Sequence, residues 1–134
     1  MKGSCLCGSI KYEIQPPFKG FQYCHCSRCR KFTGSAHAAN IFVPTSQFKW
    51  LEGQEQVGTY DLQEAKYLTT SFCKTCGSSM PWAVKGVPNM VVPAGTLDED
   101  PGIKPQQNIF CGSKASWYVE SSELPQHNEL PARK

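Results

Sequence analysis

Seven of the eight cysteines lie in three short clusters, and thiolates at such spacings are typical metal ligands. The clusters are Cys5 and Cys7, then Cys24, Cys26 and Cys29, and finally Cys73 and Cys76. Cysteines separated by one or two residues make poor local disulfides, but their sulfurs can converge on one ion. The spacing therefore favours metal sites over the four disulfides that eight cysteines would otherwise suggest.

The expected compartment supports the same interpretation. The sequence opens at Met1 without an apolar signal segment, and it contains no run approaching the roughly 18 apolar residues of a membrane span. We therefore expect a cytoplasmic protein, and cysteines in a reducing compartment more often bind metal than form disulfides.

Counting the ligands predicts two zinc ions per chain, of different kinds. A structural zinc has four ligands, often as two cysteine pairs far apart in sequence, and the first and third clusters supply such pairs. The central Cys24, Cys26 and Cys29 then offer three thiolates and an open position for water or substrate, as in catalytic zinc sites. Alternatively, His25 or Cys111 is a fourth ligand, although we expect Cys111 to be a lone buried thiol.

An open thiolate-bound zinc can lower the pKa of a bound thiol and polarise a carbonyl group. Arg28, Arg30 and Lys31 adjoin the central cluster, and arginine pairs well with carboxylates. We predict that they bind a small anionic thiol; equally, they balance the charge of the thiolates. His25 and His37 are the candidates for a general base, although His37 lies in an apolar run that favours a core position.

The surrounding pattern predicts an all-β fold, a zinc-stapled β-sandwich of short antiparallel strands with zinc knuckles and little helix. Ser27 is the expected N-cap of one short helical turn over 27–31, and Gly34 is its expected stop. Residues 48–51 and 57–60 are expected to pair through Glu52 and Gly53. The other predicted strands cover 9–14, 18–23, 36–44, 67–72, 80–84, 90–95 and 108–111.

The length of 134 residues suits a single domain, 1–134, with residues 119–134 as a polar surface tail. The formal net charge is +3, but seven thiolates and two divalent ions would together bring the loaded protein close to neutrality. The charge therefore gives no reason to expect nucleic acid as a partner, and we expect no membrane partner. The sequence leaves the oligomeric state open.

The three clusters with their neighbours resemble the glutathione-dependent formaldehyde-activating enzyme family, which includes centromere protein V. The similar segments are 3–8, 24–34, 72–77, 95–98 and 109–117, so the resemblance spans nearly the whole chain. It implies a zinc-dependent fold of two packed β-sheets. It also implies a structural zinc on Cys5, Cys7, Cys73 and Cys76 and a functional zinc on Cys24, Cys26 and Cys29.

The resemblance further implies a carbon–sulfur lyase or synthase that joins glutathione and formaldehyde into S-hydroxymethylglutathione. Two positions depart from the family pattern: Asn108 replaces a histidine found in many members, and Cys111 is an extra thiol. We expect neither to touch the clusters. The alternatives to an enzyme are a non-catalytic zinc-binding interaction module and a carrier of glutathione or formaldehyde.

Overall fold

The computed structural model describes residues 1–132, which form eleven short strands and one α-helix. In chain order these elements are β1 (Lys2–Ser4), β2 (Lys11–Ile14), β3 (Gly20–Cys24), α1 (Ser27–Thr33), β4 (Ala38–Pro44), β5 (Phe48–Glu52), β6 (Val57–Asp61), β7 (Thr69–Cys73), β8 (Ser79–Met80), β9 (Trp82–Ala83), β10 (Asn89–Pro93) and β11 (Gln107–Ile109). Single 3-10 turns occupy Thr45–Gln47, Gln54–Gln56, Ala94–Thr96, Cys111–Ser113 and Ser121–Glu123. The predicted all-β fold with little helix is confirmed.

The strands form three sheets. The first has the order β1-β2-β5, the second has the order β11-β3-β4-β10-β9, and the third has the order β6-β7-β8. Neighbouring strands are antiparallel, with the exception of β11, which pairs in parallel with β3. This pair differs from the antiparallel pattern expected. The chain reaches β11 from β10 through residues 94–106, where Leu97 forms a bridge with Gly3 of β1 in the first sheet.

The first sheet packs against one face of the second sheet, and this contact forms the main core. Tyr12 and Ile14 of β2 meet Ile41 and Val43 of β4, while Val92 of β10 completes the layer. All five side chains are buried. Burying an aliphatic or aromatic side chain of this size contributes about 1.5–3 kcal/mol, so this layer holds the two sheets together.

A smaller core joins the first sheet to the third. Ile10 and Met80 are fully buried there beside Cys5 and Cys73. The two cysteines are 68 positions apart in the chain, so any ion bound between them would tie the two sheets together.

The expected pairing of residues 48–51 with 57–60 is wrong. Strand β5 pairs with β2, and β6 pairs with β7, so the two segments belong to different sheets. Two ring packings hold β5 on the first sheet, because Phe48 and Trp50 lie 5.6 Å and 6.3 Å from the Tyr12 ring. Gly53, with φ of 74°, turns the chain away from the first sheet.

Three smaller differences concern strand limits. The expected strand over 80–84 is divided into β8 and β9 at Pro81, which has no amide hydrogen for a continuous ladder. The final strand ends at Ile109 because Phe110 has a left-handed backbone, with φ of 55°. Strand β1 was not predicted from the sequence. It pairs with β2 through Gly3, where a Cβ would lie only 2.3 Å from the Tyr12 ring.

Residues 119–132 are exposed, and their one element of secondary structure is the 3-10 turn Ser121–Glu123. Residues 133 and 134 of that predicted tail lie outside the described residues. Within the described part of the chain, no helix has the length and apolar character needed to cross a membrane.

Candidate metal centres and the adjoining cavity

Four cysteines come together in one group, which we call the tetrathiol cluster. Cys5 and Cys7 lie between β1 and β2, Cys73 ends β7, and Cys76 lies in the turn between β7 and β8. The sulfur atoms of the cluster all lie within 4.8 Å of one another. The Cys7 sulfur is 3.6 Å from that of Cys5 and 3.8 Å from that of Cys73. A tetrahedral zinc with Zn–S bonds of about 2.3 Å has sulfur–sulfur edges of about 3.8 Å, so the donor set fits zinc.

Hydrogen bonds orient the sulfurs of the tetrathiol cluster. The backbone N–H of Ile10 donates to Cys5 Sγ at 3.3 Å, and the N–H of Cys76 lies 3.5 Å from Cys73 Sγ. The Ser78 hydroxyl, 3.2 Å from Cys76 Sγ, helps lower the pKa of that thiol to about 5, together with the Ser78 backbone. Such donors stabilise thiolates, which are the form of cysteine that binds metal.

The central cysteines form the second group, the trithiol cluster, whose three sulfurs also lie within 4.8 Å of one another. Cys24 ends β3, Cys26 precedes α1, and Cys29 lies in its first turn. Cys26 is the N-cap and accepts the N–H of Cys29 at 3.3 Å, so the expected Ser27 N-cap is wrong. Gly34 ends the helix with φ of 66°, as expected.

Within the trithiol cluster, the pKa values of Cys24 and Cys29 are shifted in opposite directions. The Cys29 thiol donates to Cys24, and this interaction lowers the pKa of Cys24 to about 6 although burial opposes the shift. The same interaction and burial raise the pKa of Cys29. The lowered pKa favours the thiolate form of Cys24, and the three sulfurs together could hold a metal ion.

The face of the second sheet opposite the main core carries the trithiol cluster. Side chains alternate along β4, so Ile41 and Val43 enter the core while Asn40 and Phe42 point to the other face. Cys24 of β3 lies opposite Ala38 of β4, and Ala38 is on the same face of β4 as Asn40. The Cys24 sulfur therefore lies on this second face as well.

This second face is the floor of a cavity of about 270 Å³, which we call the trithiol cavity. Its walls include all three cysteines of the trithiol cluster. The other lining residues are Arg28, Asn40, Phe42, Lys66, Tyr67, Leu68, Trp82, Val91, Ile109 and Phe110. A metal ion on the three sulfurs would therefore face a mostly apolar space. Sequence reasoning did not predict the residues that line this cavity beside the cysteines. The one available signal was Asn40, a lone amide in the apolar run of β4.

The three basic residues that were predicted to bind substrate do not lie together. Arg28 lines the trithiol cavity and also a second cavity of about 460 Å³, the α1 groove, which Lys31 lines as well. Arg30 lines neither of these two cavities, and its Nε atom is buried without a hydrogen-bond partner in residues 1–132. Residues 28 and 31 share a helix face and residue 30 does not, because three residues make almost one helical turn.

His25 lies outside both thiol groups. Its Nε2 atom is 3.0 Å from Asn108 Oδ1, whereas its buried Nδ1 atom has no partner among the described residues. Asn108 therefore reaches the residue between Cys24 and Cys26, closer to the cluster than expected. His37 is half-buried and stacks on Tyr23 at 4.1 Å, so it is only partly the core residue that was expected.

Cys111 is exposed and belongs to neither thiol group among the described residues, so the expectation of a buried thiol is wrong. It begins the 3-10 turn that follows the left-handed Phe110, and this turn directs it to the surface. The Phe110 ring is 63% exposed, yet it lines the trithiol cavity.

An all-β fold with one cysteine group between two sheets, and a second beside a cavity, defines a class of small proteins that could hold two metal ions. The model of the glutathione-dependent formaldehyde-activating enzyme family matches residues 1–113, and the chain belongs to this family.

Two individual proteins are similar over most of the chain. A Halomonas elongata protein, provisionally named a glutathione-dependent formaldehyde-activating enzyme, is 28% identical over 131 residues; the match covers 92% of this chain and 83% of the relative. A crystal structure of a Rhodobacter sphaeroides protein is 26% identical with a TM-score of 0.61; the match covers 81% of this chain and 98% of that one. The resemblance inferred from the cysteine clusters is thereby confirmed.

Proposed function

We propose that the protein is a zinc-dependent carbon–sulfur lyase or synthase, which joins a thiol such as glutathione to formaldehyde or a related carbonyl compound. The observation that carries this proposal is the different placement of the two thiol groups. Cys5 and Cys73 are buried in a hydrophobic core between sheets, whereas Cys24, Cys26 and Cys29 line a cavity. A reaction needs an accessible site, and the trithiol cluster has one.

The tetrathiol cluster would hold one zinc as a structural ion, and the trithiol cluster would hold the second. When bound there, zinc supplies Lewis acidity and lowers the pKa of thiols, which the proposed reaction requires. The seven thiols must stay reduced to bind metal, and for this reason we assign the function to the cytoplasm.

The proposed reaction adds a thiol across a carbonyl group. A carbon–sulfur bond forms, the carbonyl π pair moves to oxygen, and the thiol proton is transferred to that oxygen; the lyase direction is the reverse. Within this chain, the trithiol cavity would hold the carbonyl compound against its apolar walls. The α1 groove would bind the rest of the thiol substrate, with Arg28 and Lys31 attracting its carboxylates.

Arg28 occupies a special position in this arrangement because it lines both cavities, as does Leu68. A thiol bound in the α1 groove could therefore reach the trithiol cavity past these two side chains. Arg30, also predicted to bind substrate, points elsewhere, and we do not include it.

The direct test is exchange NMR of a mixture of glutathione and formaldehyde, in which the rates with protein are compared with the uncatalysed rates. We expect zinc-loaded protein to accelerate formation and cleavage of the adduct. Cys26→Ser should abolish the acceleration, while Cys111→Ser is the matched control and should retain it. If glutathione binds but the rates of adduct formation and cleavage equal those without protein, the enzyme proposal is contradicted and the carrier alternative is supported.

A further inference from the structure

The trithiol cavity is far larger than formaldehyde requires. Its volume is about 270 Å³, whereas an apolar cavity of about 150 Å³ is enough to bind benzene. A molecule of two heavy atoms would leave most of this space to water, in contact with Phe42, Trp82 and Val91. Apolar walls of this kind gain free energy when an apolar group covers them.

One polar side chain in the cavity lacks a partner. Asn40 is only 8% exposed and lines the cavity, and its amide makes no side-chain hydrogen bond within residues 1–132. The amide atoms are not among the fully buried polar atoms that lack a partner, so they reach the open space of the cavity, where a ligand can accept their hydrogen bond. Its placement on the same sheet face as Cys24 directs it to the space that the three sulfurs face.

We propose that the trithiol cavity binds an aldehyde whose carbonyl carbon carries an apolar group of about benzene's size, and that the Asn40 amide donates a hydrogen bond to the aldehyde oxygen. The proposal rests on the proposed function and names its carbonyl substrate. The apolar group lies against Phe42, Trp82 and Val91. The sulfur of the thiol substrate adds to the aldehyde carbon.

The role of Asn40 follows from the charge that develops in this addition. As the carbon–sulfur bond forms, the carbonyl π pair moves to the oxygen, and the thiol proton finally neutralises it. An N–H donor already aimed at that oxygen stabilises the developing charge more than the neutral aldehyde. Asn40 would thus both position the aldehyde and accelerate the addition.

The test measures binding separately from reaction. Phenylacetamide resembles phenylacetaldehyde but does not react with thiols, and acetamide is the same group without the ring. In zinc-loaded protein, we expect phenylacetamide to bind about tenfold or more tightly than acetamide, because the ring covers apolar wall. Nitrogen-15 NMR should show shifts of the Asn40 side-chain amide and the Trp82 indole signals.

The variant Asn40→Leu should weaken phenylacetamide binding about fivefold to tenfold. Asn89→Leu is the matched control, because Asn89 lies in the same sheet outside the trithiol cavity. This variant should bind phenylacetamide with unchanged affinity. If Asn40→Leu does not fold, Asn40→Ala serves in its place, and the Asn40 amide signal of the wild type is read in any case.

Reaction is then followed with glutathione and three aldehydes, each rate being divided by the rate without protein. We expect the acceleration to be about tenfold or more greater for phenylacetaldehyde than for acetaldehyde or formaldehyde. Acceleration confined to formaldehyde, without binding of phenylacetamide, would overturn this inference and leave the proposed function intact. Phenylacetamide binding that depends on Asn40, without acceleration of any aldehyde, would support the apolar site and overturn the proposed function.

Discussion

Cys73 and Cys26 have similar backbone hydrogen bonds but different surroundings. Cys73 and Cys26 both accept a backbone N–H from a residue three positions further on, at 3.5 Å and 3.3 Å. They differ in their surroundings, because Cys73 is packed in a core between two sheets, whereas Cys26 caps a helix beside a cavity. The same substitution should therefore have opposite consequences at the two positions.

We expect Cys73→Ser to abolish stable folding and Cys26→Ser to preserve it. Apparent zinc binding energies of structural sites are about 10–16 kcal/mol, which exceeds the net stability of most domains. Serine at position 26 retains an oxygen that can cap α1. Relative to wild type loaded only in the tetrathiol cluster, its loss of stability should therefore be about 1 kcal/mol. Circular dichroism during urea unfolding measures both effects.

Metal analysis of the same variants supplies the control. Cys26→Ser should lose one of two zinc ions while its fold persists. Equal collapse of both variants would mean that both thiol groups are structural.

Phe110 stores strain, since its φ of 55° lies in the left-handed region and its ring is 63% exposed. The left-handed conformation costs a non-glycine residue about 1–2 kcal/mol. Phe110→Gly should therefore be about 1 kcal/mol more stable toward urea than Phe110→Ala, which deletes the ring but retains the strain. Equal stability of the two variants would show that position 110 has relaxed and stores no strain.

Sequence reasoning found the residues with specialised chemistry and missed those that only the tertiary structure brings together. Seven cysteines were singled out because thiolates at short spacing have few alternatives, and the structure has them in two spatial groups. Asn40 and Phe42 escaped notice because their importance depends on which face of β4 meets the core. A single strand with apolar residues on both faces does not reveal this.

At the scale of secondary structure, Gly53 decides how the first sheet is connected to the third. It follows β5 with φ of 74°, and a Cβ there would lie 1.9 Å from the Ser9 carbonyl oxygen. The backbone at Ser9 leads directly into β2, so it cannot move aside easily. Gly86 has a similar φ of 76°, but a Cβ there would meet nothing within 4 Å.

We expect Gly53→Ala to lower the free energy of unfolding by about 3 kcal/mol and Gly86→Ala by about 1 kcal/mol. Both variants incur the left-handed penalty, and only the first adds a backbone clash. Urea titrations of both proteins give the difference. Similar losses at the two positions would show that the close approach of residues 9 and 53 is unimportant.

The partners of each strand were harder to predict than the strands themselves. Residues 48–51 and 57–60 were recognised as strands, but their short connection suggested a hairpin that does not form. The Tyr12 ring holds β5 on the first sheet, and contacts between residues 36 positions apart are invisible to local patterns. Similarly, α1 was predicted from its stop at Gly34, while a cysteine N-cap lay outside the usual rules.

For the whole molecule, the proposed function gives the tetrathiol cluster a structural role and the trithiol cluster a chemical role. The tetrathiol cluster brings together segments near residues 5 and 75, and the trithiol cluster lines a cavity beside the second sheet. We expect a strong chelator to remove zinc in two steps, first from the trithiol cluster, with the fold retained, and then from the tetrathiol cluster, with unfolding. Release of both ions in one step together with unfolding would contradict this division.

The central claim is that the trithiol cluster is an open metal site that accepts a thiol substrate. The most direct measurement is titration of glutathione into cobalt-substituted protein while the thiolate-to-metal charge-transfer band is recorded. We predict a saturable change of this band in the wild type and none in Cys26→Ser, whose tetrathiol cluster remains loaded. An unchanged spectrum in the wild type, at glutathione concentrations of about 10 mM where even weak sites fill, would contradict the claim.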